Sequence, residues 1–136
     1  MVRSYLVDTN IIIDMLLDRE HADAACAVID KAEQGEIVVY LSALSYTNIY
    51  YSLRKYLSHE ERVNSLILLQ EVIKTLSVDS DVIADALRSD WKDFEDAVQY
   101  FSAKSNKDIV GIITRNEKDF VNSELPVLSP YSFMRK

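Results

Sequence analysis

The chain has 136 residues, 49% of them apolar, and a formal net charge of −7; that composition fits one globular domain over residues 1–136 and excludes a disordered chain and broad, charge-driven nucleic-acid binding. Two glycines, Gly35 and Gly111, are too few for a glycine-rich phosphate loop, and the single cysteine, Cys26, excludes an internal disulfide and fits a reducing, cytoplasmic setting. No apolar stretch approaches the roughly 20 residues that span a bilayer, and the N-terminus carries no signal-peptide pattern, so no membrane association is expected.

Short apolar runs alternate with helical patterns along the chain. Tyr5–Asp8 is predicted as a strand and Asn10–Leu17 as a helix. A second helix covers Ala22–Gln34, apolar at Ala22, Ala25, Cys26, Ile29 and Ala32, with Gly35 as its stop. Ile37–Leu41 is the second strand. Ser42 or Ser45 caps a long helix to about Leu57, and His59–Lys74 follows with Val63, Leu66, Ile67 and Ile73 on its apolar side. Leu76–Val78 reads as a strand, Val82–Arg88 as a helix capped by Asp79 or Ser80, and Asp93 opens a helix carrying Phe94, Ala97, Val98 and Phe101. Ile109–Thr114 suits the interior of a parallel sheet. Val127–Leu128 is a last strand before a terminal turn or helix. Strands separated by helices imply a parallel α/β sheet flanked by helices on both faces.

Asp8 stands between two apolar runs, Tyr5-Leu6-Val7 and Ile11-Ile12-Ile13. A carboxylate there is costly unless paired. It falls at the carboxyl end of a strand, where open α/β sheets bind ligands. The alternative is that Asp8 or Asn10 only caps the following helix. Three later segments arrive at the same sheet edge: Ser42 to Asn48, Asp93 to Asp96, and Thr114 to Phe120. Asp93 and Asp96 share one face of a helix start, where capping and dipole roles compete with chemistry. Converging carboxylates suit hard cations such as Mg²⁺ or Mn²⁺, which acidify water and stabilise an in-line displacement at phosphorus.

The order of these segments resembles the PIN-domain family, the fold of many small nucleases, including VapC-like toxins of toxin–antitoxin pairs. The likeness rests on LVDTNIIID at 6–14, DFEDAVQYFSA at 93–103 and IITRNEKDF at 112–120. It implies a three-layer α/β/α fold with a short central parallel sheet, and a Mg²⁺- or Mn²⁺-dependent endoribonuclease. Asp8 falls on the family's first metal-binding acid, Asp96 on the main acid of the third motif, Asp93 on an additional acid, and Thr114 on the small hydroxyl beneath the metal. Asn48 occupies the position where the family usually has Glu, and Asn116 one where it often has Asp. A subgroup with Asn at both positions fits this pattern. Asn ligates through a carbonyl oxygen and brings no charge.

The catalytic and metal-binding set is therefore Asp8, Asp93 and Asp96. Asn10, Asn48, Thr114, Asn116 and Asp119 support it, and Arg115 and Lys118 face the substrate. Implied partners are RNA, an antitoxin protein and a second copy of the chain. The competing reading is a PIN-like module that binds RNA or protein without hydrolysis. Tyr46, Tyr50, Tyr51 and Tyr56 crowd one helix and are read as core and dimer packing in preference to a base-stacking platform. Phosphoryl-accepting Asp enzymes fit poorly, because Asp8 is followed by Thr-Asn-Ile with no adjacent acid. His21 and His59 suggest no nucleophile triad.

Overall fold

The computed structural model of the protein describes residues 2–135. Strands β1 (Arg3–Val7), β2 (Ile37–Ser42), β3 (Lys74–Leu76), β4 (Ile109–Ile113) and β5 (Val127–Leu128) form one sheet in the order β3-β2-β1-β4-β5. Every pairing is parallel. Seven helices connect and cover it: α1 (Thr9–Leu16), α2 (Ala22–Glu33), α3 (Ala43–Ser52), α4 (His59–Val72), α5 (Ser80–Leu87), α6 (Phe94–Lys104) and α7 (Pro130–Met134), with a 3-10 turn at Glu117–Phe120. This is the three-layer α/β/α arrangement that the alternating sequence predicts.

Side-chain alternation assigns the two layers. Tyr5, Val7, Val39, Leu41 and Ile113 face α1 to α4 and α7, where Ile11, Ile12, Val28 and Ile49 complete an apolar cluster. Leu6, Leu76 and Ile112 face the opposite way, onto Tyr100 and Ala103 of α6 and onto Phe120. β1 is the centre of the sheet, and the strand order reverses beside it. β2 and β3 are laid down on one side, β4 and β5 on the other. The reversal leaves a crevice at the carboxyl ends of β1 and β4. Register there is tight: Val7 pairs with Ile113, and the Asp8 N–H donates to the Ile113 carbonyl at 2.9 Å. Gly111 suits that register, since a Cβ would sit 3.2 Å from the Pro126 carbonyl oxygen and 3.3 Å from the Tyr5 ring and would press both neighbours aside.

Four sequence expectations shift. The third helix ends at Ser52 rather than near Leu57, because Leu53 turns into the core. The carbonyls it leaves are met by arginines: Arg62 donates to Tyr50 O at 3.1 Å and Arg54 to Tyr51 O at 2.9 Å. β3 lies two residues earlier than Leu76–Val78, since pairing of Lys74–Leu76 with Tyr40–Ser42 sets its place. On α4 the core-facing residue is Leu69, and Ile67 is half exposed. Of the four tyrosines Tyr46, Tyr50, Tyr51 and Tyr56, Tyr46 packs against the core, whereas Tyr51 and Tyr56 are exposed.

The loop after β4 is tied to α1 by a charged contact. Asp14, 1% exposed, accepts from Arg115 Nε at 2.5 Å and from Nη2 at 3.4 Å, while Arg19 stands 4.0 Å away. Removing Arg115 strands a buried carboxylate. Arg115→Ala is expected to cost about 2–3 kcal/mol in urea unfolding. Adding Asp14→Asn to that variant should recover part of the loss, and additive losses would show that the pair is not coupled.

Candidate functional site

Asp8 precedes the first turn of α1, but its side chain makes no capping hydrogen bond. It is 3% exposed and points across the crevice. Gln99 Nε2 of α6 donates to Oδ1 at 3.0 Å, and Thr114 Oγ1, just past β4, donates to Oδ2 at 2.8 Å. The donors are themselves held. Gln99 Oε1 accepts from the Thr9 N–H at 3.2 Å, Thr9 Oγ1 shares a hydrogen with Ser45 Oγ at 2.7 Å, and Thr114 Oγ1 accepts from the Asn116 N–H at 3.0 Å. Burial pushes the Asp8 carboxyl above its ordinary range. Gln99, Thr114 and the Asn10 N–H oppose that, and the charge of Asp119 adds to it.

The first turn of α6 brings the other acids. Asp93 is its N-cap, with Oδ1 accepting from the Asp96 N–H at 2.9 Å. Asp96 is half buried, and its carboxyl is pushed up to about 7 by that burial and by the charges of Asp8, Asp93, Asp119 and Glu95. Glu95 is raised too, by partial burial and by Asp8 and Asp93. Asp93, Asp96 and Asp119 line a cavity of about 320 Å³ with Lys92 and Lys118.

Four predicted acids, Asp8, Asp93, Asp96 and Asp119, thus lie within electrostatic reach of one another. Thr114 contacts Asp8 directly. Asn10 and Asn116 contribute backbone N–H groups, and neither Asp8 nor Asn116 caps a helix through its side chain. Asn48 does not meet Asp8; its Nδ2 donates to Glu95 Oε2 at 2.9 Å. The negative charge at that end of the crevice therefore comes from α6 instead of α3. Lys118 lines the acidic cavity, whereas Arg115 is paired with Asp14.

Sequence reasoning missed Gln99, Glu95 and Lys92. Gln99 carries a readable signal, since it lies three residues after Asp96, one turn along the same buried helix. The acids present carboxylate oxygens, the donors that suit a hard cation. Among the described residues no three His, Cys, Asp or Glu side chains are already gathered as a metal-holding group. The raised carboxyls are what such acids show without a counter-charge.

The profile of the PIN domain family matches residues 4–118. The chain belongs to the PIN domain family. Solved structures share the fold. The VapBC2 complex of Rickettsia felis, bound to a promoter DNA fragment, superposes with a TM-score of 0.70 at 15% identity, over 93% of this chain and 98% of that one. A toxin–antitoxin complex from Klebsiella pneumoniae gives 0.69 at 23% identity, over 94% and 98%. VapC20 of Mycobacterium tuberculosis, described as a Sarcin-Ricin loop cleaving toxin, gives 0.62 at 20%, over 79% and 86%. No curated protein matches the sequence.

The electrostatics of this PIN domain give a pH signature. Asp96 loses its proton near 3.8 when unfolded and near 7 in the fold. Between those values the folded state holds more protons, so this group's contribution to stability falls as pH rises through the interval. In chelator, Asp96→Asn is expected to melt close to the unsubstituted protein at pH 5 and a few degrees above it at pH 8. A difference that does not change with pH would place Asp96 outside the acid cluster.

Proposed function

We propose that this PIN domain is a divalent-cation-dependent endoribonuclease, the toxin of a toxin–antitoxin pair. The observation that carries the reading is the convergence of acids on buried Asp8 at the sheet's topological switch point, with the Asp96 carboxyl raised to about 7. Capping and dipole roles do not require Asp8 and Asp96 to share a charge field. The Sarcin-Ricin loop cleavage named for the Mycobacterium tuberculosis structure and the complexes named for the other two support the same class.

Asp8, Asp93 and Asp96 would hold Mg²⁺ or Mn²⁺, with Asp119 at the rim. The cation would supply acidification of a water and charge neutralisation at phosphorus. Gln99 and Thr114 fix both oxygens of Asp8, so the carboxylate keeps one orientation. Asn116 keeps Thr114 in place. Lys92 and Lys118, on the walls of the acidic cavity, attract phosphate oxygens that the acids alone would repel. Water forms the new bond to phosphorus, the bond from phosphorus to a ribose oxygen breaks, and the proton lost by the water ends on that leaving oxygen.

A protein partner is supported by a separate apolar groove lined by Met15, Leu16, Ile29, Leu68, Leu69 and Val72, with Leu68 64% exposed. We assign the antitoxin to it; a second copy of the chain completes the expected assembly. The location is cytoplasmic in this reading. The competing module without hydrolysis draws on one observation, the lack of a ready-formed metal-holding group.

Melting curves and single-stranded RNA cleavage decide between them. Mn²⁺ at about tenfold its Kd should stabilise the protein by roughly 1.4 kcal/mol. Asp8→Asn and Asp96→Asn should each remove most of that shift and lower cleavage by at least about a hundredfold. No shift and no cleavage at millimolar Mn²⁺ would establish the non-hydrolytic module.

A further inference from the structure

A second cleft lies on the other side of α6 from the acidic cavity. It holds about 240 Å³ between α3 and α6. Phe94, Glu95, Val98 and Gln99 form one wall, one turn apart in pairs, and Ser42 and Asn48 belong to the facing wall. Phe94, which lines the cleft, is 47% exposed, so its side chain is open to a stacking partner. The Ser42 hydroxyl, in the cleft wall, is wholly buried and has no hydrogen-bond partner among the described residues. A buried hydroxyl without a partner is uncommon and marks a group that a ligand or water completes. Glu95 presents a carboxylate of which Oε2 is steadied by Asn48 Nδ2 at 2.9 Å.

An aromatic face, an apolar wall and a steadied carboxylate match the flat, polar-edged shape of a nucleobase. The carboxylate selects among bases. Guanine alone has two adjacent donors, N1–H and the 2-amino group, on its Watson–Crick edge. Adenine and cytosine pair one donor with an acceptor, and uracil flanks its single donor with carbonyls. We propose that this cleft is a subsite for one unstacked guanine of the RNA, stacked on Phe94 and hydrogen-bonded through N1–H and the 2-amino group to Glu95. The site rests on the ribonuclease reading above, because it serves that same active site. Asp93 and Asp96 lie on the opposite flank of the same helical turn. A strand with its base in the cleft crosses the start of α6 and brings its neighbouring phosphodiester to the acids. Gln99 joins the two halves, since it lines the cleft and holds Asp8.

The test is a titration of the isotope-labelled full chain in EDTA with GMP, IMP, AMP, CMP and UMP, followed by amide NMR. GMP should perturb Asn48, Phe94, Glu95 and Val98 and bind at least about tenfold more tightly than AMP, CMP or UMP. IMP, lacking the 2-amino group, should lose about tenfold. Glu95→Gln should erase the preference for GMP over AMP, and Phe94→Ala should weaken all binding at the cleft while the melting temperature holds. Equal binding of the nucleotides, or no perturbation of these amides at millimolar GMP, overturns the proposal. Cleavage of RNA oligonucleotides in Mn²⁺ is measured in parallel. GMP binding without cleavage retains the cleft and removes the hydrolytic reading. Cleavage without GMP binding or a guanine preference removes the cleft and retains hydrolysis.

Discussion

Everything at the working end of this protein depends on how a single buried carboxylate is held. Asp8 sits where the central strand ends, nearly shut off from solvent, and forms no ion pair among the described residues. Its two oxygens are satisfied from two directions, by Gln99 on α6 and Thr114 after β4. A buried charge in this position is costly, and hydrogen bonds to both oxygens offset part of that cost. In doing so they fasten three non-adjacent segments of chain, separated by 91 and 106 positions, to one point. The crevice is therefore rigid at its base whatever binds above it. Thr9 and Ser45 extend the network to α3, so each layer that lines the crevice has a hydrogen bond to it or to its neighbours.

The same arrangement concentrates negative charge. The chain's net −7 is not spread evenly; Asp8, Asp93, Glu95, Asp96 and Asp119 influence one another at one sheet edge. Desolvation and like-charge repulsion act together there, which is why Asp96 holds its proton to about 7. A site selected only for stability would replace one of these acids. Held together, these acids give this edge of the sheet a strong attraction for positive charge. Two lysines on the cavity wall reduce the field without cancelling it.

Much of this was legible in the sequence, and the parts that were not share a cause. The strands, most helix boundaries and the convergence of Asp8, Asp93 and Asp96 follow from apolar periodicity and from the place of acids at strand and helix ends. Those are local signals. The pairing of Arg115 is not legible, because its partner, Asp14, is buried on a different helix 101 positions away. Asn48 was placed near Asp8, and it meets Glu95 instead, because rotation of α3 about its axis is set by packing. Gln99 was passed over because a glutamine in a helix has no chemistry of its own until the helix is docked. The end of α3 is not legible either, since both arginines that close it, Arg54 and Arg62, lie beyond its span. In each case the missing information was which side chain stands opposite, a property of the assembled layers.

The first two turns of α6 show how one short segment serves several demands without conflict. Helical spacing divides them into separate faces. Asp93 closes the helix end and, with Asp96, looks toward the acidic cavity. Ala97 is fully buried against α5. Phe94 and Val98 stack one turn apart beside the other cleft, with Glu95 and Gln99 completing it. The cap fixes the helix start, and buried Ala97 fixes its rotation. Gln99 then reaches Asp8 only if that rotation is right. Fold stability and site geometry are thus set by the same contacts, so a change that turns α6 by even part of a residue would release Asp8 and misplace both clefts together.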